Sequence, residues 1–345
     1  MEYYNDFEDL ENLPRIKNMP IDRPSRPWKI RAAKKLDESQ RNLISSLEEQ
    51  RDDVIDYDFS YDASRHEREW IMDSLVLFFE MQWFSDVVRL VKGGKEALVY
   101  QCLTSPASPA EEKYLAAKVY RPRRFRNLRN DYIYREGRAE LDDSGNEIID
   151  EGMLKAIQQR SDYGRQVMHT SWLEHEFNTM KLFSDAGADV PRPYARGNNA
   201  ILMEFIGDGD MAAPTLNAVE LDQVEARILF ERVLFNIEIM LANERVHADL
   251  SAFNILYWQG DIMLIDFPQA ISPFENRNAY SIFKRDLRRV CEYFTRQGVE
   301  VKDHELARKL WQSHKYRRMP EIHPGLLDEE DEQDREYWDR LIYKT

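Results

Sequence analysis

The stretch Val246–Pro268, which reads VHADLSAFNILYWQGDIMLIDFP, constrains this chain more than any other, because it sets polar side chains at fixed spacing among apolar residues. Its loop carries Asp249 and, five residues later, Asn254. The segment 255–265 contains two short apolar runs split by Gln-Gly-Asp, which predicts a β-hairpin. The second run leads directly into Asp266, so a carboxylate is expected at the end of a strand.

The loop and hairpin together supply the groups that phosphoryl transfer requires. His247, Asp249 and Asn254 fit the pattern H-x-D-x-x-x-x-N. In that chemistry a carboxylate orients the attacking oxygen, while an amide oxygen and a second carboxylate hold Mg²⁺. We therefore predict Asp249 as the catalytic aspartate, with Asn254 and Asp266 as the metal ligands. The alternative is that Asp249 and Asn254 only cap turns.

A glycine turn upstream provides a candidate phosphate loop. Two apolar stretches within 86–102 flank Gly93 and Gly94, which predicts strand, turn and strand. Glycine lets a backbone approach phosphate closely, and Lys95 adds a positive charge beside it. A glycine pair in a hairpin is more often a simple turn, so this motif is weak in isolation.

A lysine and a glutamate stand out in apolar surroundings further along the chain. Lys118 interrupts the apolar run 114–120, which predicts a strand, and a lysine there is costly without a partner. In the predicted helix 172–186, Glu176 falls on the apolar face. We predict that the two side chains form a buried ion pair. The alternative for Lys118 is a solvent-facing position on an edge strand.

The remaining helical predictions rest on spacing. Ser171 is predicted as the N-cap of the helix 172–186, with Glu174 as its capping-box partner on the solvent side. The segment 221–243 is predicted as a long helix whose inward side chains are Val224, Ile228, Val233, Ile237 and Met240. A further helix is predicted at 303–315.

Composition changes along the chain suggest its organisation. Residues 1–64 are polar and proline-punctuated, which predicts a flexible extension. An amphipathic helix and a run of predicted strands occupy 65–206, with a charged insert near 121–170. Mainly helical patterns follow in 207–322, and an acidic tail occupies 323–345.

The hydrophobic fraction, the net charge and the lengths of the apolar runs disfavour some classes of protein. At 43% hydrophobic residues the chain can bury a sizeable core, and its net charge of −15 disfavours generic nucleic-acid binding. No apolar run is long enough to span a bilayer, and the N-terminus lacks a signal-peptide core. Cys102 and Cys291 suit small core residues in a reducing cytosol, so a cytoplasmic location is expected.

The glycine turn, the strand lysine, the helical glutamate, the catalytic loop and the strand-end aspartate occur in the order found in kinases. Their residues resemble the motifs of the RIO family of atypical Ser/Thr protein kinases. The resemblance covers about residues 86–298. It is carried by the helix around Trp172 and Glu176 and by the segments GKEALVY (94–100), AAKVYRP (116–122), ILMEFIG (201–207), HADLSAFNIL (247–256) and IDFPQAI (265–271).

The resemblance implies an α+β, bilobal protein-kinase-like fold with a small β-rich N-lobe, a helical C-lobe and no usual activation segment. It implies ATP and Mg²⁺ (or Mn²⁺) in the interlobe cleft, with Lys118 holding the phosphates and Glu176 anchoring it. Met203 would be the gatekeeper, and Glu204 and Ile206 would offer hinge backbone to adenine. Family members in archaea and eukaryotes act in small-ribosomal-subunit maturation, which makes that particle a partner by analogy only.

Some residues depart from the family pattern. The loop 92–95 is Lys-Gly-Gly-Lys where the family has Ser or Thr before Gly-Lys-Glu-Ala, so a hydroxyl contact to phosphate is missing. Pro268 stiffens the exit after Asp266, and residues 1–64 do not read as a winged helix. The acidic balance and the lack of a basic tail weaken the analogy to ribosomal partners and suggest a bacterial-type member with another partner. The alternatives are a small-molecule phosphotransferase, disfavoured by Ser251 where that class usually has histidine, and a nucleotide-gated assembly factor with little turnover.

Overall fold

A computed structural model describes residues 57–94, 96–121, 138–159 and 161–316. The predicted acidic tail, residues 1–56 of the predicted extension and Lys95 lie outside these residues.

Two antiparallel sheets form. Most of their strands coincide with apolar runs predicted as strands, but the short strand Pro193–Arg196 was predicted only as an extended connection. The larger sheet has five strands in the order β1-β2-β3-β5-β4, and the smaller is the hairpin β6-β7. The strands are β1 (Phe84–Gly93), β2 (Ala97–Thr104), β3 (Tyr114–Tyr120), β4 (Pro193–Arg196), β5 (Ala200–Glu204), β6 (Ile255–Trp258) and β7 (Asp261–Leu264). Gln259 and Gly260 both have positive φ, as the predicted tight hairpin turn requires.

Six α-helices complete the described part of the chain. They are α1 (Arg65–Glu80), α2 (Glu151–Gln158), α3 (Asp162–Asp185), α4 (Gln223–Ala242), α5 (Ala279–Arg296) and α6 (Asp303–Ser313). Helix α4 begins where Asp222 accepts hydrogen bonds from the backbone of the first turn, and α3 begins where Ser161 does the same.

The described residues build two main cores, and α3 connects the helical core to a small third cluster against the sheet. One face of the large sheet packs against α1, while α4, α5, α6 and the hairpin enclose a separate helical core. Helix α3 contributes Trp172 and Leu173 beside the sheet, and Met180 and Phe183 to the helical core. The predicted α+β, two-lobed architecture is confirmed. The connection 267–278, which leads to α5, contains turns and a single β-bridge but no helix or strand.

The structure corrects one predicted domain boundary and one predicted helix face. Tyr57 and Phe59 are buried in the core between α1 and the sheet, so the folded unit begins before residue 65. On α4, Val224 and Ile228 are exposed instead of buried. Val233, Ile237 and Met240 do face inward, but at 100° per residue Val224 and Ile228 lie on the opposite side of the helix.

The predicted start of the helix at Trp172 is also wrong. Helix α3 begins at Asp162, so Ser171 lies inside it and accepts a hydrogen bond from the backbone of Leu141 at 2.9 Å. Glu174 is 1% exposed and forms an ion pair with Arg196. The reason is that the segment 138–148 covers this face of α3, which spacing within the helix cannot reveal.

Two smaller expectations can also be compared with the structure. Cys102 and Cys291 are buried free thiols, as predicted for core residues. Within the described part of the chain, no helix combines the length and the hydropathy of a membrane span.

Candidate active site

Three charged side chains from distant parts of the sequence meet between the two cores. Lys118 on β3 lies with its Nζ 2.5 Å from Glu176 Oε1 on α3 and 2.7 Å from Asp266 Oδ1, just after β7. Glu176 is fully buried and Lys118 is 9% exposed. The structure therefore brings together the predicted ion pair and the predicted metal aspartate, and the lysine is not solvent-facing.

The strand register explains why Lys118 points inward. Within the sheet it lies opposite Val99 of β2 and Ile201 of β5, so β3 is a central strand and not an edge. Two residues later, on the same face, the Tyr120 hydroxyl donates a hydrogen bond to the second carboxylate oxygen of Glu176. Both oxygens of the buried glutamate are thus satisfied.

The three charges stabilise one another. Burial alone would lower the pKa of Lys118, but the carboxylates of Asp266 and Glu176 reverse this and raise the pKa above its ordinary value. Burial works against the charged form of Asp266 too, yet Lys118 holds the pKa of that carboxyl below its usual range. The lysine is cationic and Asp266 anionic at neutral pH, as phosphate and metal binding require.

The loop after α4 places Asp249 and Asn254 beside this triad. The Asn254 amide nitrogen donates to Asp249 Oδ2 at 3.2 Å and to the Asp249 carbonyl at 2.9 Å. The Asn254 carbonyl accepts a hydrogen bond from the backbone nitrogen of Ile265, the neighbour of Asp266, at 3.0 Å. Ala248 and Asp266 have φ of 66° and 74°, a left-handed conformation that is uncommon for non-glycine residues.

The free oxygen atoms suit a hard cation. Asn254 uses its amide nitrogen within the loop, and among the described residues nothing donates to its side-chain oxygen. Asp266 binds Lys118 through Oδ1, which leaves Oδ2 without a hydrogen-bond partner in the described structure. Two such oxygens, completed by phosphates and water, match the coordination that Mg²⁺ prefers.

The predicted gatekeeper and hinge lie at the end of β5 and just after it. Met203 lies opposite Ala116 and packs partly against the helical core, while Glu204 is 8% exposed. The Ile206 carbonyl accepts a hydrogen bond from Ala213 at 2.9 Å. The Ile206 N–H has no partner among the described residues, so it is available to an incoming base.

The glycine turn fits the prediction only in part. Gly94 closes the turn by donating to the Ala97 carbonyl at 2.9 Å, so its N–H is already engaged. A Cβ on Gly94 would come within 2.9 Å of the same oxygen, which explains the glycine. Gly93 ends β1, opposite Leu98. Lys95 lies outside the described residues.

Lys92 was not singled out as a site residue, yet its position points to the cleft. It lies opposite Val99, which lies opposite Lys118, and opposed residues of antiparallel strands share a face. Its charge also contributes to the lowered pKa of Asp266. The available sequence signal was its place directly before the glycine pair.

Sequence reasoning also missed Tyr120 and Arg289. Arg289 on α5 donates to Asp249 Oδ1 at 3.0 Å. Tyr120 could have been found from its spacing of two residues from Lys118, which places both on one strand face. An arginine on an amphipathic helix carries no such signal.

Comparisons with known proteins identify the family of this chain. The family model described as RIO domain matches residues 131–307, just over half of the chain. A human relative, serine/threonine-protein kinase RIO1, is 29% identical over 63% of this chain, and the RIO-type kinase Rio1 of Haloferax volcanii is 28% identical over 61%. This chain spans 34% and 64% of the lengths of these relatives. A solved structure of Rio2 kinase from Chaetomium thermophilum, with ADP, Mg²⁺ and phosphoaspartate, aligns over 88% of this chain and 85% of that one, with 17% identity and a TM-score of 0.47.

Proposed function

Because the chain belongs to the RIO family, we propose that it is an ATP- and Mg²⁺-dependent RIO-type serine/threonine kinase or ATPase. It would transfer the γ-phosphoryl group to a protein hydroxyl, to itself or to water. The observation that carries this proposal is the position of Lys118, which contacts Glu176 and Asp266 at once at the junction of the two cores.

Each residue has a separate task in the proposed mechanism. Lys118, fixed by Glu176, would hold the α- and β-phosphates. Asn254 and Asp266 would hold Mg²⁺, which neutralises phosphate charge when it is bound. Asp249 would orient the acceptor oxygen in line with the γ-phosphorus and receive its proton. Positioning and charge stabilisation supply most of the catalysis in such reactions.

The nucleotide base would lie against the hinge. Its hydrogen-bonding edge would accept from the free N–H of Ile206 and donate to the Glu204 carbonyl, beside Met203 as gatekeeper. Gly93, Gly94 and Lys95 would cover the phosphates, although the N–H of Gly94 is engaged within its own turn. Lys95 would therefore act through its charge rather than through a cradle of backbone amides.

A single-turnover reaction with γ-labelled ATP tests the proposal. The full chain should release or incorporate label when Mg²⁺ is present, and Asp249→Ala and Asp266→Ala should abolish turnover without unfolding the protein. Asp261→Ala is the matched control, because this exposed carboxylate lies on the hairpin strand that precedes Asp266. Full activity of both site variants would contradict the proposal.

Mapping the label separates the remaining possibilities. Label on a serine or threonine supports kinase activity, and label on Asp266 supports an ATPase-type cycle. Tight binding without turnover would favour a nucleotide-gated assembly factor, and label transferred to an added sugar or aminoglycoside would favour a small-molecule phosphotransferase. We also propose a cytoplasmic location, which the two free thiols support. A protein partner would supply the hydroxyl group that accepts the γ-phosphoryl group.

A further inference from the structure

Both carboxylate oxygens of Asp249 are held before any substrate arrives. Arg289 donates from Nη1 to Oδ1 at 3.0 Å, and the Asn254 amide donates to Oδ2 at 3.2 Å. The proposed function explains the asparagine as a metal ligand. It assigns nothing to the arginine, which comes from a helix forty residues further along the chain.

Helix α5 grips the same loop at a second point. One turn before Arg289, the Arg285 guanidinium donates to the Ala248 carbonyl and to Asp286 Oδ1, the latter at 2.9 Å. Residues four apart lie on one face of a helix, so both arginines face the loop. Arg285 therefore fixes the backbone next to Asp249, and Arg289 fixes its side chain.

The Arg289–Asp249 pair is open to solvent, although Arg289 Nη1 also lies 3.9 Å from the buried Asp286 carboxylate. The side chains of Arg289 and Asp249 are 39% and 49% exposed. Ion pairs this open to solvent contribute little to folding stability. The pair nevertheless restricts the rotamer of the carboxylate that has to meet the acceptor oxygen.

We propose that Arg289 is a positioning residue for phosphoryl transfer, which acts by holding the Asp249 carboxylate in its reactive orientation. This inference rests on the proposed function and adds a residue to its machinery. A carboxylate oriented in advance does not have to lose rotational freedom when the acceptor binds, and misplacement of such a group is costly. Arg289 itself forms no bond to the reacting atoms.

The test compares neighbouring arginines of α5. Arg289→Ala should lower the single-turnover rate with γ-labelled ATP by about 10- to 100-fold and leave the ATP dissociation constant unchanged. Arg288→Ala is the matched control, because Arg288 pairs with Glu292 at 3.5 Å on the solvent side. It should keep the full rate.

Two further measurements exclude a merely structural effect. Arg289→Lys should recover part of the rate, since it restores a cation, and added methylguanidinium should accelerate Arg289→Ala but not Asp249→Asn. If circular dichroism shows that the alanine variant is unfolded, Arg289→Gln, which retains most of the side chain, replaces it.

The outcomes distinguish this inference from the proposed function. A wild-type protein that binds no ATP and turns none over would remove both. An active wild type with an equally active, or faster, Arg289→Ala variant would overturn the positioning role and leave the kinase assignment intact. Loss of rate without rescue by lysine or methylguanidinium would also overturn it.

Discussion

At the residue scale, the site could be predicted where a side chain conflicts with its surroundings. Lys118 in an apolar strand and Glu176 on an apolar helical face each needed a partner, and the structure places them 2.5 Å apart. Arg289 could not be predicted, because a charged residue on an amphipathic helix is ordinary. Its contact with Asp249 depends on the angle at which α5 crosses the loop.

We predict that Glu176→Gln lowers ATP turnover by about 100-fold, because a neutral amide no longer fixes Lys118 for the phosphates. Tyr120 can still donate to the amide oxygen, so the fold should persist. Initial rates at saturating ATP provide the measurement. Glu305→Gln, at an exposed position on α6, is the control. Wild-type rates in Glu176→Gln would contradict the anchoring role.

Lys92 leads to a second prediction at this scale. It shares the sheet face of Lys118, so its cation should act on the nucleotide phosphates. Lys92→Ala should weaken ATP binding by about tenfold, equivalent to one charge-assisted contact of about 1.4 kcal/mol, and should leave adenosine binding unchanged.

Isothermal titration with ATP, ADP and adenosine measures this effect. Lys92→Arg keeps the cation and should retain most of the ATP affinity. Lys302→Ala, at an exposed lysine just before α6, is the control. An equal loss of affinity for adenosine and ATP would show that the side chain does not act through phosphate.

At the element scale, strands were predicted better than helices. The run 114–120 coincides with β3, because a central strand appears as a continuous apolar segment bounded by polar residues. Helix α3 starts ten residues before its predicted start at Trp172, since its first turns are polar and carry no apolar stripe. Helix α2 was missed because it lies within a charged insert and buries none of its residues.

The burial of Glu174, which was predicted to face solvent, has a measurable consequence for stability. Burial raises the pKa of the Glu174 carboxyl from 4.5 to about 7, although Arg196 opposes the shift. Between these values the folded state binds more protons than the unfolded state. Stability should therefore fall as pH rises through this window, by about 3 kcal/mol at most for the full shift.

We predict that Glu174→Gln removes this fall, because a glutamine does not titrate. Urea midpoints at pH 4.5 and pH 7 should differ less in the variant than in the wild type. Glu147→Gln controls for charge alone, since its exposed side chain lies on the same segment, whereas Asp142 and Asp143 themselves raise the pKa of Glu174. The same pH dependence in wild type and Glu174→Gln would show that the burial of Glu174 does not govern this window.

At the scale of the whole molecule, the ion pair between Lys118 and Asp266 connects the sheet to the segment that follows the hairpin. Two lobes were expected from the resemblance to the RIO family, because the glycine turn, the strand lysine and the catalytic loop occur in kinase order. The sequence could not predict how the segment 138–159 folds. There Arg138 donates to the Pro268 carbonyl at 2.9 Å, so this region reaches the exit from Asp266.

The two-lobed site predicts how ligand binding alters the stability of the whole chain. Mg²⁺ and ATP together would engage Lys118 from one lobe and Asp266 from the other, so they should stabilise both lobes as one unit. A ligand at a hundred times its dissociation constant adds about 2.7 kcal/mol to the free energy of unfolding. ATP without Mg²⁺ should add much less, because Asp266 and the phosphates then repel each other.

Asp266→Asn tests whether this stabilisation passes through the aspartate. The amide is a weaker metal ligand than the carboxylate, whereas Lys118 retains Glu176 as its partner. The gain in urea midpoint from Mg²⁺ and ATP should therefore fall in Asp266→Asn to the level that ATP alone produces. Asp261→Asn, on the exposed side of the hairpin, should keep the full gain. If both variants gained equally, the metal would bind elsewhere, and the two lobes would not be joined through Asp266 when nucleotide is bound.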